Sequence, residues 1–102
     1  MSWASRYIES LRQGETVKFR PRGNSMTGKI ESGQLVTVEP LMQSTELEPG
    51  MIVLCKVKGQ EYLHLIKAVK SGSQYLIGNN RGKLNGWINR SSIFGICINV
   101  EP

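Results

Sequence analysis

From Thr16 onward the chain is a succession of short apolar runs, broken by glycine- or proline-containing turn signals at roughly ten-residue intervals. That rhythm limits the fold more than any other feature. "TVKFRPR" sets Val17 and Phe19 against Lys18, Arg20 and Arg22, so the basic side chains share one face of a strand. "QLVTVEP" follows as a second strand, with Gly33 as the turn residue before it. "EPGMIVLCKVKGQEYLHLIKAVKSGSQYLIGNN" reads as a meander. Pro49-Gly50 opens it, Gly59-Gln60 is a two-residue hairpin turn, and Ser71-Gly72-Ser73 makes the next corner. "IFGICINV" is the closing strand. The pattern predicts a mainly β fold, a small antiparallel barrel or sandwich. Only the N-terminus departs from it. Trp3, Tyr7, Ile8 and Leu11 fall at helical spacing with Gly14 as a stop, which predicts an amphipathic helix over 2–12. We read residues 1–102 as one domain, with segment 1–15 packed on the β body.

Composition narrows the function classes. Hydrophobic residues make up 39% and charged ones 21%, as in soluble globular proteins. No apolar run approaches the roughly 18–20 residues that cross a bilayer, and "MSWASRYIESLRQGE" has no signal-peptide core. A cytoplasmic chain without a membrane anchor is expected. Cys55 and Cys97 lie in apolar strand-like runs and read as reduced core thiols. A single histidine and no CxxC spacing argue against a structural zinc site, and no metal or cofactor is expected. The net charge of +5 and the Lys18-Arg20-Arg22 face suit an anionic partner. Without an aromatic stacking motif, nucleic acid ranks last among the partners. Nothing in the sequence sets an oligomeric state. All eight acidic residues are glutamates.

The chemistry-bearing candidates are a serine and the sole imidazole. Ser25 stands in "RPRGNSMTGKIESGQLVTVEP", at a Gly-Asn-Ser corner that such residues favour for backbone reasons alone. A serine hydroxyl becomes a nucleophile only when a neighbouring base takes its proton. His64, in "YLHLIKAVK", is suited to that role, because an unperturbed imidazole titrates near pH ~6.5. On a strand over 61–69, His64 and Ile66 point to one side and Leu63 and Leu65 to the other. The alternative is a hydrogen-bonded structural histidine between apolar neighbours.

Three segments, in order, resemble the superfamily that joins type I signal peptidases and the self-cleaving domains of LexA-like SOS repressors. "GNSMTGKIESGQLVTV" is similar to its nucleophile box, "YLHLIKAVK" stands where its members carry the general base, and "YLIGNNRGKLNGWINRSSIFGICINV" resembles the late signal-peptidase box. The similarity runs from about Thr16 to Val100. It implies a coiled antiparallel β fold, serine-peptidase chemistry in a surface groove, and a peptide or protein substrate bound as an added strand. The base position matches His64, as in archaeal and endoplasmic-reticulum signal peptidases, where bacterial members use lysine. Asn79 and Asn85 stand for the two aspartates of the late box, Asn85 with a one-residue slip. Gly28 stands where proline is usual and Gln34 where aspartate is usual.

On this resemblance Ser25 is the nucleophile, His64 the base, and Asn85 the group that orients the ring through its amide oxygen. Ser25 N–H supplies the oxyanion contact, with Gly23 allowing the tight turn, Asn24 offering its side-chain amide, and Met26 as groove wall. Lys18, Arg20 and Arg22 on the edge strand favour acidic flanks on a peptide. Met26 is equally a core residue, and Asn79, Asn80 and Arg81 read equally as a turn bonded to its own backbone. A small soluble endopeptidase and a peptidase fold retained as a binding module therefore both remain readings of the chain. Self-cleavage and repressor function are not expected, because only 24 residues precede Ser25 and they hold no Ala-Gly or Cys-Gly pair.

Overall fold

The computed structural model describes residues 2–71 and 73–102. Helix α1 (Ser5–Arg12) precedes strands β1 (Val17–Phe19), β2 (Leu35–Pro40), β3 (Ile52–Val57), β4 (Gln60–Lys70), β5 (Gln74–Gly78), β6 (Leu84–Asn89) and β7 (Ile93–Glu101). The strands form one antiparallel sheet in the order β1-β2-β7-β3-β4-β5-β6, so β3 to β6 are a meander and β7 returns between β2 and β3. The mainly β expectation holds. A Cβ placed on Gly86 of β6 would lie 3.3 Å from Val57 of β3, although two strands separate them in the sheet. The sheet is therefore coiled, not flat.

Side-chain alternation sends apolar residues to both faces. On β3, Leu54 joins a cluster with Ile8, Leu11, Val36, Val38, Leu63 and Leu65, which α1 covers. Val53 and Cys55, to either side of Leu54, join Ile66, Tyr75, Ile77 and Ile93 in a second cluster. Residues of this kind that are fully buried each contribute roughly 1.5–3 kcal/mol through loss of apolar surface to water.

Four details differ from the sequence reading. The helix begins at Ser5, three residues later than expected, because Ser2 folds back to bond Ser5 Oγ and leaves Trp3 in a turn. The β3–β4 hairpin turns at Lys58-Gly59, not Gly59-Gln60. Both residues have positive φ (50° and 81°), as a primed two-residue turn demands, and Gln60 already pairs with Val57. Strand β1 ends at Phe19, before "RPR". Pro21 offers no N–H to a ladder, and the Arg20 side chain turns aside to donate to Gly33 O at 2.9 Å. Strand β6 was not anticipated, since "LNGWIN" is rich in Asn and Gly, both poor strand formers. The expected Ser71-Gly72-Ser73 corner includes Gly72, which lies outside the described residues.

One local feature positions the site. Strand β4 pairs with β3 over Gln60–Leu65 and with β5 only from Leu65 onward. The edge of residues 61–64 that faces away from β3 thus has no strand partner among the described residues.

Candidate active site

Ser25 opens a tight turn in the loop joining β1 to β2, held by Lys29 and Ile30 N–H groups that donate to Met26 O at 2.9 and 2.8 Å. Met26 and Ile30 are buried in the α1-side cluster and root this loop in the core. Ser25 Oγ lies 3.2 Å from His64 Nε2, although 39 residues separate the two. On the other side of the ring, His64 Nδ1 lies 2.7 Å from Asn85 Oδ1. Tyr62, two residues earlier on the same strand, stacks on the imidazole with ring centroids 4.8 Å apart.

These contacts fix the tautomer. An amide oxygen can only accept, so Nδ1 carries the proton and donates to Asn85 Oδ1. The neutral ring then presents its Nε2 lone pair to the Ser25 hydroxyl, which donates. His64 is only 6% exposed. Burial lowers its pKa below the ordinary 6.5. The Asn85 bond opposes that shift, and the nearby Lys83 cation adds to it. The imidazole is accordingly neutral, and able to accept a proton, at neutral pH.

A cleft of about 200 Å³ opens at Ser25. Pro21, Arg22 and Gly23 line one side, and the unpaired edge Glu61–His64 lines the other. Trp3 stands at it too, still 51% exposed.

The remaining candidates fall in different places. Gly23 has φ +113°, a conformation costly for any side chain, and its N–H donates to Ser32 Oγ at 3.1 Å. Asn24 is exposed, and its carbonyl accepts from Thr27 N–H and Oγ1. Met26 is both core and cleft wall. Of the three basic residues, Arg22 lines the cleft, Arg20 braces the Gly33 turn, and Lys18 is exposed on β1, outside the cleft lining. Asn79 Oδ1 accepts from the N–H groups of Arg81 and Lys83 at 2.8 and 2.9 Å, so it shapes its own turn. Gly28 has φ +99°, which a proline ring cannot adopt, and Gln34 Oε1 accepts from Glu31 N–H at 2.7 Å. The loop here is thus closed by contacts other than the proline and aspartate of the resembled family. Cys55 is buried and Cys97 half-buried, and both are free.

Sequence reasoning missed Tyr62 and Lys83 as neighbours of the imidazole. The period-two spacing of Tyr62 and His64 on one strand carried that signal; Lys83 left none. Among the described residues, no helix is long and apolar enough to cross a membrane.

No curated protein matches the chain. The family model described as Peptidase S24-like matches residues 2–95, nearly the whole of it. With its coiled antiparallel sheet and the serine box in that model's span, the chain belongs to the Peptidase S24-like family.

Proposed function

We propose that the protein is a serine peptidase in which Ser25 is the nucleophile, His64 the general base and Asn85 the group that orients the ring. The observation that carries this reading is the continuous relay from Asn85 Oδ1 through His64 to Ser25 Oγ, with contacts of 2.7 and 3.2 Å. Both lie at hydrogen-bonding distance, as base catalysis needs. A peptide lies in the cleft as an added strand against the free edge of residues 61–64. Ser25 Oγ attacks the scissile carbonyl carbon, and its proton passes to His64 Nε2. The oxyanion is met by Ser25 N–H, which makes no hydrogen bond among the described residues. His64 then gives the proton to the leaving amine, and water releases the acyl group by the reverse sequence. Arg22, at the cleft, favours an acidic residue on the substrate.

Asparagine sets the pace. Replacing a triad aspartate by asparagine costs about 10⁴ in kcat where it leaves the wrong tautomer. Here the amide oxygen faces Nδ1, so the tautomer is right and only the counter-charge for the imidazolium is missing. The chemistry is slow on this account, not abolished. Burial and Lys83, which both disfavour the cation, also support a second reading: a peptide-binding module with residual turnover.

Peptide libraries incubated with the native chain, Ser25→Ala and His64→Ala separate the two. Cleavage by the native chain, lost in Ser25→Ala and reduced about 10²–10⁴-fold in His64→Ala, is expected of the peptidase. Peptide retention by all three without cleavage favours the binding module. Undiminished cleavage by both variants removes the Ser-His reading.

A further inference from the structure

We infer that Asn80 is a positioning residue for the nucleophile, and that the short segment from Asn79 to Asn85 holds both reacting side chains in register. This rests on the peptidase reading of Ser25 and His64. Asn80 N–H donates to Ser25 O at 2.9 Å. Its side-chain Nδ2 donates to Thr27 O at 2.8 Å, two residues further along the same turn. Apart from the contact to His64, these are the hydrogen bonds that tie residues 20–34 to any other segment among the described residues; the loop's remaining bonds are internal.

The pairing is shaped from both sides. A Cβ at Gly28 would lie 3.0 Å from Asn80 Nδ2, so a glycine at 28 leaves the room the amide occupies. Asn79 in turn closes the 79–83 turn, accepting from Arg81 and Lys83 N–H and donating its own N–H to Lys83 O at 2.9 Å. That turn delivers Asn80 to one reacting partner and, through β6, Asn85 to the other. The peptide plane between Ser25 and Met26 is pinned by Asn80, and the imidazole plane by Asn85. Since a misplacement of about 1 Å can cost about 10²-fold in rate, holding both from one short, internally bonded segment couples nucleophile to base.

The test uses the full chain and an alkyl fluorophosphonate. In its reaction the Ser25 Oγ–P bond forms, the P–F bond breaks, fluoride leaves, and the hydroxyl proton goes to His64. Labelling of Ser25 is followed by mass spectrometry against pH, and backbone amide exchange across the loop by NMR. Asn80→Ala is expected to slow labelling at least tenfold at every pH without moving the midpoint of its pH profile. Exchange at Gly28, Lys29 and Ile30 should quicken. Asn85→Ala, in contrast, moves the midpoint. In a double-mutant cycle, Gly28→Ala is expected to do less harm in the Asn80→Ala background, where the crowded amide is gone. The φ strain at position 28 is common to both backgrounds and cancels. Native labelling rate and unchanged loop exchange in Asn80→Ala overturn the inference. Failure of the native chain to label faster than Ser25→Ala overturns the peptidase reading instead, and loop exchange then still reports whether Asn80 holds the turn.

Discussion

His64 and Asn85 lie 21 residues apart and meet at 2.7 Å across β4 and β6, with the amide oxygen, not the nitrogen, facing the ring. That orientation puts the proton on Nδ1 and leaves the Nε2 lone pair toward Ser25 Oγ. It also puts a dipole where many hydrolases put a charge.

The consequence is testable by changing position 85. Asn85→Ala removes the ring's anchor and should lower Ser25 reactivity about 10–100-fold. It leaves the buried Nδ1–H without its acceptor, at a cost of about 1–3 kcal/mol in stability, while β6 backbone pairing is untouched. Asn85→Asp places a carboxylate on Nδ1–H. It should raise the His64 pKa and speed fluorophosphonate labelling of Ser25 on the order of tenfold or more, because the imidazolium gains a counter-charge. Labelling rates of the three proteins against pH check both. Slower labelling of Asn85→Asp, with the native fold retained, contradicts the orienting role given to Asn85.

Burial lowers the His64 pKa, and the sign of its effect on stability follows from that. Above pH 6.5 the ring is neutral both folded and unfolded, and stability is indifferent to it. As pH falls below 6.5, the unfolded chain takes up a proton that the folded chain refuses, so stability declines until the folded midpoint is reached. Denaturant melts of the native chain and His64→Gln at pH 7.5 and 5.0 should show a native-only loss on acidification. The acid limb of Ser25 reactivity should likewise lie below 6.5, and Lys83→Gln should move it upward by removing a repelling cation.

The features legible in the sequence were those with a local physical cause. The apolar runs in "MIVLCKV" and "YLHLIKAVK" mark β3 and β4, and strand periodicity sets Leu63 and Leu65 opposite His64 and Ile66; the structure places the first pair in the α1-side cluster and Ile66 in the other. The glycine-asparagine-serine corner located the turn that carries Ser25. Long-range polar contacts had no such signature. "LNGWIN" looks like a loop by composition and is a strand because β5 pairs with it. Asn80 looks like a turn residue, and its bonds to Ser25 and Thr27 exist only after folding has brought the two loops together. The basic stripe Lys18-Arg20-Arg22 assumed a strand that stops at Phe19, so its three side chains part company.

The two thiols should differ in reactivity. Cys55 is buried and its pKa is pushed up to about 12, which leaves almost no thiolate at neutral pH. Cys97 is half-buried, and its pKa is raised by burial to an extent that a backbone hydrogen bond with Asn99 partly offsets. A disulfide-exchange reagent at pH 8 should modify Cys97 in the native state and reach Cys55 only under unfolding conditions. Equal rates at both, read by mass mapping, contradict the burial of Cys55.

Two glycines with similar crowding separate the stability of the sheet from the geometry of the site. A Cβ on Gly95 of β7 would lie 2.6 Å from Glu39 O and 2.8 Å from Val38, inside the sheet's centre. A Cβ on Gly78 of β5 would lie 2.6 Å from Lys83 O, the carbonyl that closes the Asn79–Lys83 turn. Overpacking of this kind typically costs about 1–3 kcal/mol, so both alanine variants should melt several degrees below the native chain. Their effects on Ser25 should diverge. Gly95→Ala strains β2 against β7, with β3 between it and the strand that carries His64, and should leave fluorophosphonate labelling per folded molecule unchanged. Gly78→Ala pushes on the segment that carries Asn80 and Asn85, and should slow labelling at least tenfold at temperatures where the variant is still folded. Equal labelling in the two variants means that this segment can shift without moving Ser25 or His64.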